Sequence, residues 1–224
     1  MKHIVLNDSL IPRCLARAQR DYANWDAFSQ SAAGRELRQL KSDEQQGFCG
    51  YCECRLAEAS GNLPLGAAHL DHFYQKNRCP EKMYAWDNLI LSCKQNDSCG
   101  FFKDRQPIPS EQLLNPLEDN PRDYFDYTLI GDKCEIRISP MATLPEDKRQ
   151  KAQNTIDALN LNCDRLCQAR TWEWFKYREE TECIFEMQGQ MEDCELAAYR
   201  AELEQQMEHG SYSSAMVCLA HDTW

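Results

Sequence analysis

The sequence predicts an α+β protein: a small metal-stapled core of two strands and a short helix, preceded by helices and followed by a β-hairpin with a helical extension. Three observations lead there. Two cysteine pairs, Cys49 with Cys52 and Cys93 with Cys99, bracket one stretch of chain. Within it, two short apolar runs are separated by turn-rich sequence. On both sides of it, apolar residues recur at spacings of three and four, the period of a helix buried on one face.

The chain has 224 residues, 42% of them hydrophobic, enough for a substantial core. It divides into a helical segment, 1–46, a central module, 47–106, and a hairpin with helices, 107–224. The first residues lack the apolar run and small-residue cleavage site of an export signal, and nowhere is there an apolar stretch of the roughly 18 residues that a membrane span needs. A cytoplasmic protein with no membrane partner is expected. Thirteen cysteines, an odd number without an export signal, argue for metal ligands and buried thiols rather than a disulfide framework. Cys54 and Cys79 lie in the central module as spares or substitutes for the bracketing four. The other seven read as small buried apolar side chains.

The elements follow in order. Residues 11–46 read as helices: Pro12 suits a first turn, and Leu15, Ala18, Tyr22, Trp25 and Phe28 form one stripe. The stretch 31–34 breaks the pattern, and a more polar helix runs from 35 towards 46 on Leu37 and Leu40. This pair is expected to pack on the next module rather than take part in chemistry. Turn residues at 61–64 precede a strand at 65–70, a second strand spans 88–92, and a short helix covers 98–104. Pro107, Pro109, Pro116 and Pro121 leave little room for helix. A hairpin of 124–129 and 134–138 comes next. Thr143 and Glu146 have capping-box spacing, with Pro145 in the first turn of a helix carrying Ala152, Ile156 and Leu159. Residues 160–162 interrupt it. Cys163, Leu166, Cys167, Arg170 and Trp174 mark a further helix to about 180, and Leu196, Tyr199, Leu203 and Met207 a last one ending near Gly210.

Net charge is -11, awkward for a protein that holds a polyanion. Much of it is local: residues 179–208 carry ten acidic side chains against Arg200 alone, while 72–105 carry six basic and four acidic ones. Such a mild positive balance permits phosphate contacts and predicts weak non-specific affinity unless a partner adds positive surface. The acidic helix is either a solvated face or a dock for a basic partner.

Cys49, Cys52, Cys93 and Cys99 would complete a tetrahedral thiolate shell, and a shell without an open position makes that zinc structural. Hydrolysis then calls for a second metal. Asp71, at the end of a strand, suits a hard divalent cation, Mg²⁺ or Mn²⁺. His72 beside it is a base near neutral pH, able to take a proton from water. Asn88 is expected to hydrogen-bond backbone near His72 and fix its ring. Lys103 and Arg105 are candidates for holding a phosphate, with solvated surface as the equal alternative.

With these residues in view, the segment resembles an HNH (ββα-metal) endonuclease: Asp71-His72, Asn88-Leu89 and Cys99 with Lys103 match that motif as they stand. The spacing from Cys93 to Cys99, Trp86-Asp87-Asn88-Leu89, Asn115-Pro116 and the run from Thr155 through Asn162 resemble more specifically the retron-associated, Septu-type branch. The resemblance implies a nuclease effector of anti-phage defence, working beside an ABC-type ATPase and, in retrons, a reverse transcriptase with its RNA-linked single-stranded DNA. It tilts the substrate towards DNA; attack by water leaves structured RNA such as tRNA open. One residue departs from the pattern. HNH enzymes usually place a metal-ligating Asn or His directly after the last zinc cysteine, and here Gly100 stands there. The replacement ligand is sought in His69, on the same strand face as Asp71, or in Asn96 or Asp97 before the helix, with His69 and Asp97 ranked together.

Gly100 also supports a second class of function, a zinc-binding adaptor without catalysis. Asp71, His72 and Asn88 together oppose it, because a purely structural module has no need of an Asp-His pair at a strand end. A thiol redox protein built on Cys49 and Cys52 lacks the surrounding βαβ pattern.

Overall fold

The N-terminal apolar stripe folds as three helices rather than two: α1 (Arg13–Asp21), α2 (Trp25–Gln30) and α3 (Ala32–Glu44). Two N-caps in succession decide this. The Asn24 side chain accepts from the Ala27 amide at 2.9 Å and that of Ser31 from the Gly34 amide at 3.1 Å, so each opens a new helix. The stripe expected to run unbroken to Phe28 is therefore cut at 22–24, and Leu15, Ala18, Trp25, Phe28 and Leu37 meet in the core from three helices. The computed structural model describes residues 1–6, 11–140 and 143–224. Among these are nine α-helices and two antiparallel strand pairs, a mixed helix-and-hairpin fold.

Strand β1 (Ala68–His72) pairs with β2 (Leu89–Cys93), Ala68 opposite Cys93 and Asp71 opposite Ile90, and the short helix α4 (Cys99–Lys103) follows. β1 starts later than the sequence predicts because the Ala67 amide closes a turn on the Pro64 carbonyl at 3.1 Å, holding the intervening residues out of the sheet. An isolated strand pair leaves polar edges to satisfy. Here the side chain of Gln45, at the end of α3, acts as a surrogate strand: its amide nitrogen donates to the Leu91 carbonyl at 2.9 Å and its oxygen accepts from the Leu91 amide at 2.8 Å. Gly50 donates to the same carbonyl, and a Cβ there would stand 2.5 Å from Ile90 Cγ2, so only glycine permits this approach.

β3 (Phe125–Ile130) and β4 (Lys133–Ile138) turn about Gly131, which has φ +63°. β4 packs on α5 (Glu146–Ala158) and α6 (Asp164–Trp174). The expected capping box at Thr143 and Glu146 does not form; Pro145 holds the N-cap position and no side chain caps the helix. The run 155–162 is a clamp. Thr155 accepts from the Leu114 amide at 2.7 Å, and Asn162 bonds the amide and carbonyl of Ile136 at 2.9 and 2.8 Å. Leu159 accepts from the Cys99 amide at 2.8 Å, which positions α4.

The helix expected to reach 180 ends at Trp174; α7 (Arg178–Glu186) and α8 (Asp193–Glu208) follow separately, and then α9 (Ser213–His221), which the sequence reading did not foresee. Its cap is remote: the buried Glu53 carboxylate accepts from the Ser213 hydroxyl at 2.9 Å and the Ser214 amide at 3.0 Å. Among the described residues no helix is long and apolar enough to cross a membrane.

Candidate active site and thiol cluster

A tight turn brings Cys49, Cys52 and Cys54 together, helped by Glu53 in the left-handed region at φ +64°. β2 delivers Cys93. The sulfurs of these four lie within 4.8 Å of one another, a donor set suited to zinc. Cys99, at the start of α4, brings its Sγ to 3.9 Å from that of Cys49. Five thiols thus converge where the cysteine spacing predicts four ligands: of the two spares, Cys54 belongs to the close set and Cys79 does not.

A cleft of about 670 Å³ opens beside the strand pair, lined by His69, Asp71 and His72 from β1, Phe101 from α4, and Trp25, Ser29, Arg35 and Arg38 from α2 and α3. The N-terminal helices form a wall of it, a role their apolar periodicity did not disclose. Arg35, Arg38, Lys76 and Lys94 put positive charge around it against Asp26, Asp71 and Asp104, with Lys76 paired to Asp26 at 3.3 Å.

Asp71 is buried, and its Oδ2 accepts from the Tyr51 hydroxyl at 2.5 Å and lies 3.2 Å from Lys103 Nζ. Burial beside this carboxylate holds the Tyr51 phenol well above its ordinary range, so it stays a donor. Burial alone would depress the Lys103 ammonium, but the Asp71 and Asp104 carboxylates raise it. With Oδ2 engaged, Oδ1 is turned towards Gly100: a Cβ there would stand 2.8 Å from Asp71 Oδ1 and 3.0 Å from His69 Nε2. The absence of a side chain at Gly100 leaves these two donors facing one space.

His69 stacks on Phe101 with ring centroids 4.0 Å apart, and both its nitrogens are shut off from solvent with no hydrogen-bond partner among the described residues. Burial lowers its pKa and keeps the ring neutral, the form that ligates metal. A buried imidazole without a partner is costly unless a ligand completes it. Asp97 is placed elsewhere: its carboxylate is gripped by Arg165 of α6 at 2.8 Å and it does not line the cleft. Of the two residues that the sequence ranks together, His69 lies beside Asp71 in the cleft and Asp97 does not.

His72 packs edge-on against Trp25 at 4.4 Å, and its Nε2 lies 2.9 Å from the Met83 carbonyl. A carbonyl only accepts, so the proton sits on Nε2 and the lone pair on Nδ1. Burial lowers this pKa too, keeping the ring unprotonated. Asn88 accepts from the Tyr74 amide at 2.7 Å and donates to the carbonyls of Tyr74 and Lys82 at 3.1 and 3.0 Å, tying down the loop whose Met83 carbonyl holds His72. Its action on His72 runs through that loop.

Lys103 and Arg105 are not arranged to hold substrate phosphate. Lys103 is buried, spent on Asp71, Asp104 and the His72 carbonyl. Arg105 donates to the Asn96 carbonyl and does not line the cleft.

No family model matches the chain. It is 32% identical to Septu protein PtuB of Bacillus thuringiensis over 62% of its own length and 46% of that protein's. It is 26% identical to a retron Ec83 putative HNH endonuclease of Escherichia coli over 69% of its own length and 71% of that protein's. The chain resembles the HNH-type proteins of Septu and retron defence. It spans less than half the length of the Septu relative. The thiol cluster is suited to metal.

Proposed function

We propose that the chain is a metal-dependent HNH endonuclease that hydrolyses phosphodiester bonds of nucleic acid, DNA in the first place, as the effector of a Septu- or retron-type defence system. The observation that carries this is the partnerless His69 imidazole facing Asp71 Oδ1 across the bare Gly100, with neutral His72 in the same cleft. In this reading 47–106 is the catalytic module, a zinc-stapled ββα-metal core. The helices of 1–46 wall its cleft, and 107–224 binds partners.

Asp71 and His69 would hold the divalent ion; when bound, such an ion stabilises charge on the scissile phosphate and the leaving oxygen. One carboxylate and one imidazole favour Mn²⁺ over Mg²⁺, which prefers all-oxygen shells. Tyr51 and Lys103 hold the Asp71 carboxylate from its far oxygen, so Oδ1 needs no reorientation. His72 accepts the proton of the attacking water on Nδ1, while Met83 keeps the ring in the tautomer that leaves this nitrogen free. Trp25 restrains its rotation. Arg35 and Arg38 meet substrate phosphates at the rim.

The cleft's positive charge is modest within a chain of net charge -11, which supports activity inside a complex that supplies more. The partners proposed are an ABC-type ATPase and, in a retron setting, a reverse transcriptase with its RNA-linked single-stranded DNA. Helices α7 and α8, acidic and with Phe185, Met187 and Tyr199 exposed, are a surface for such contacts.

The test is cleavage of labelled plasmid DNA and total tRNA with Mn²⁺ or Mg²⁺, by the protein alone and with its ATPase. Cutting is expected, faster with Mn²⁺, and His72→Ala should slow it by about 10²–10⁴-fold with zinc content and circular dichroism unchanged. Zinc-loaded, folded protein that cuts nothing in any mixture would establish the adaptor instead.

A further inference from the structure

The five thiols exceed what a tetrahedral zinc site can use. Thiolates at about 2.3 Å from a tetrahedral zinc stand about 3.8 Å apart. Cys49 and Cys99 are at that spacing, 3.9 Å, yet the mutually close set of four includes Cys54 instead. Cys54 lies within 4.8 Å of the sulfurs of Cys49, Cys52 and Cys93, and Cys99 reaches the same cluster at Cys49. Five thiols therefore meet where a tetrahedral ion takes four, with Cys54 arriving from the turn and Cys99 from the start of α4.

The two alternatives are anchored to different parts of the fold. Cys54 follows Glu53, whose carboxylate caps α9 and whose carbonyl accepts from the Tyr212 amide at 3.0 Å. Cys99 opens α4, its amide is held by Leu159, and the next residue is the Gly100 that faces Asp71 and His69. Whichever thiol closes the shell decides whether the metal is tied to the turn beneath α9 or to the helix that forms the floor of the cleft.

We propose that Cys49, Cys52 and Cys93 are the constant ligands of a structural zinc and that Cys54 and Cys99 alternate in its fourth position. The exchange is redox-neutral: the entering thiol gives up its S–H proton as its sulfur binds, and the departing thiolate takes one up. The zinc shell thereby has two forms of equal sulfur count, one gripping α4 and one releasing it. This inference does not depend on the nuclease reading.

The test is metal analysis with zinc-edge X-ray absorption on the full-length wild type and on Cys54→Ser, Cys99→Ser, the double variant and Cys49→Ser. Both single variants are expected to keep zinc with the wild-type sulfur count. The double variant and Cys49→Ser should each lose one sulfur and release zinc to a chelator at least tenfold faster. A lower sulfur count or lost zinc in Cys54→Ser alone, or in Cys99→Ser alone, overturns the alternation and names the fixed fourth ligand. A double variant that keeps the full count overturns it as well. Cadmium NMR on the unmutated protein guards against a folding defect in the variants. Two resonances, or one broadened by exchange, are expected; a single sharp line at the shift of either single variant overturns the proposal.

Discussion

At the Ala68–Cys93 end of the strand pair, five thiols gather against one another; at the Asp71–His72 end, Asp71 Oδ2 and His72 Nε2 already have protein partners. The thiol end is assembled from a turn, a strand and a helix start, joined by bonds such as Gly50 to Leu91 and Gly100 to Ser92, and its converging sulfurs are a donor set that a metal would tie together. The carboxylate end is built without metal. Tyr51, Lys103, Met83 and the Asn88-braced loop hold Asp71 and His72 in place, and among the described residues Asp71 Oδ1, His72 Nδ1 and the imidazole of His69 are left without a hydrogen bond. One metal would then be part of the fold, and the other would enter a site already formed.

Removing the first should have the largest effect. Structural zinc in small domains contributes about 10 kcal/mol or more, comparable with the whole stability of an ordinary domain. Strong chelation, which strips the ion altogether, is expected to abolish the cooperative thermal transition followed by circular dichroism, and Cys49→Ser, which weakens the site, to lower its midpoint. Survival of that transition would mean the thiol end holds without metal.

Asp71→Ala comes next. It leaves the buried Lys103 ammonium with only Asp104 as a charged partner, and breaking a buried pair in this way costs about 3–5 kcal/mol. Denaturant midpoints should fall accordingly and cleavage should be lost, whereas His72→Ala loses cleavage alone. Equal stability for the two variants would show that Lys103 does not depend on Asp71.

Gly100→Ala sharpens the contrast further. The new methyl pushes between Asp71 Oδ1 and His69 Nε2, so manganese affinity measured by calorimetry should drop about tenfold or more, with zinc content unaltered. Unchanged manganese affinity would remove His69 from the ligand set.

The smallest effect is expected from Arg35→Ala at the cleft rim. DNA affinity should fall modestly at low salt, and the slope of log affinity against log salt should shrink by about one contact's worth. A slope unchanged from wild type would place the nucleic acid elsewhere.

Local chemistry by itself was enough for the strand pair between the cysteine pairs, the short helix with Cys99 at its start, and the placing of Asp71 and His72 side by side at the end of β1. These are properties of spacing, and spacing survives folding. The helix count failed where capping by Asn24 outweighed an unbroken apolar stripe, and α9 was missed because its cap, Glu53, is 160 residues away in sequence. Only the tertiary structure could separate His69 from Asp97, since the difference lies in what each side chain meets: Arg165 reaches across from α6 to take Asp97, and among the described residues no hydrogen-bonding group reaches the His69 nitrogens. It alone could turn Lys103 from a phosphate contact into a support for Asp71, set α2 and α3 as a wall of the cleft, and bring Cys54 into the thiol cluster. A ligand set and a cleft are made of residues distant along the chain, and their company is settled by packing.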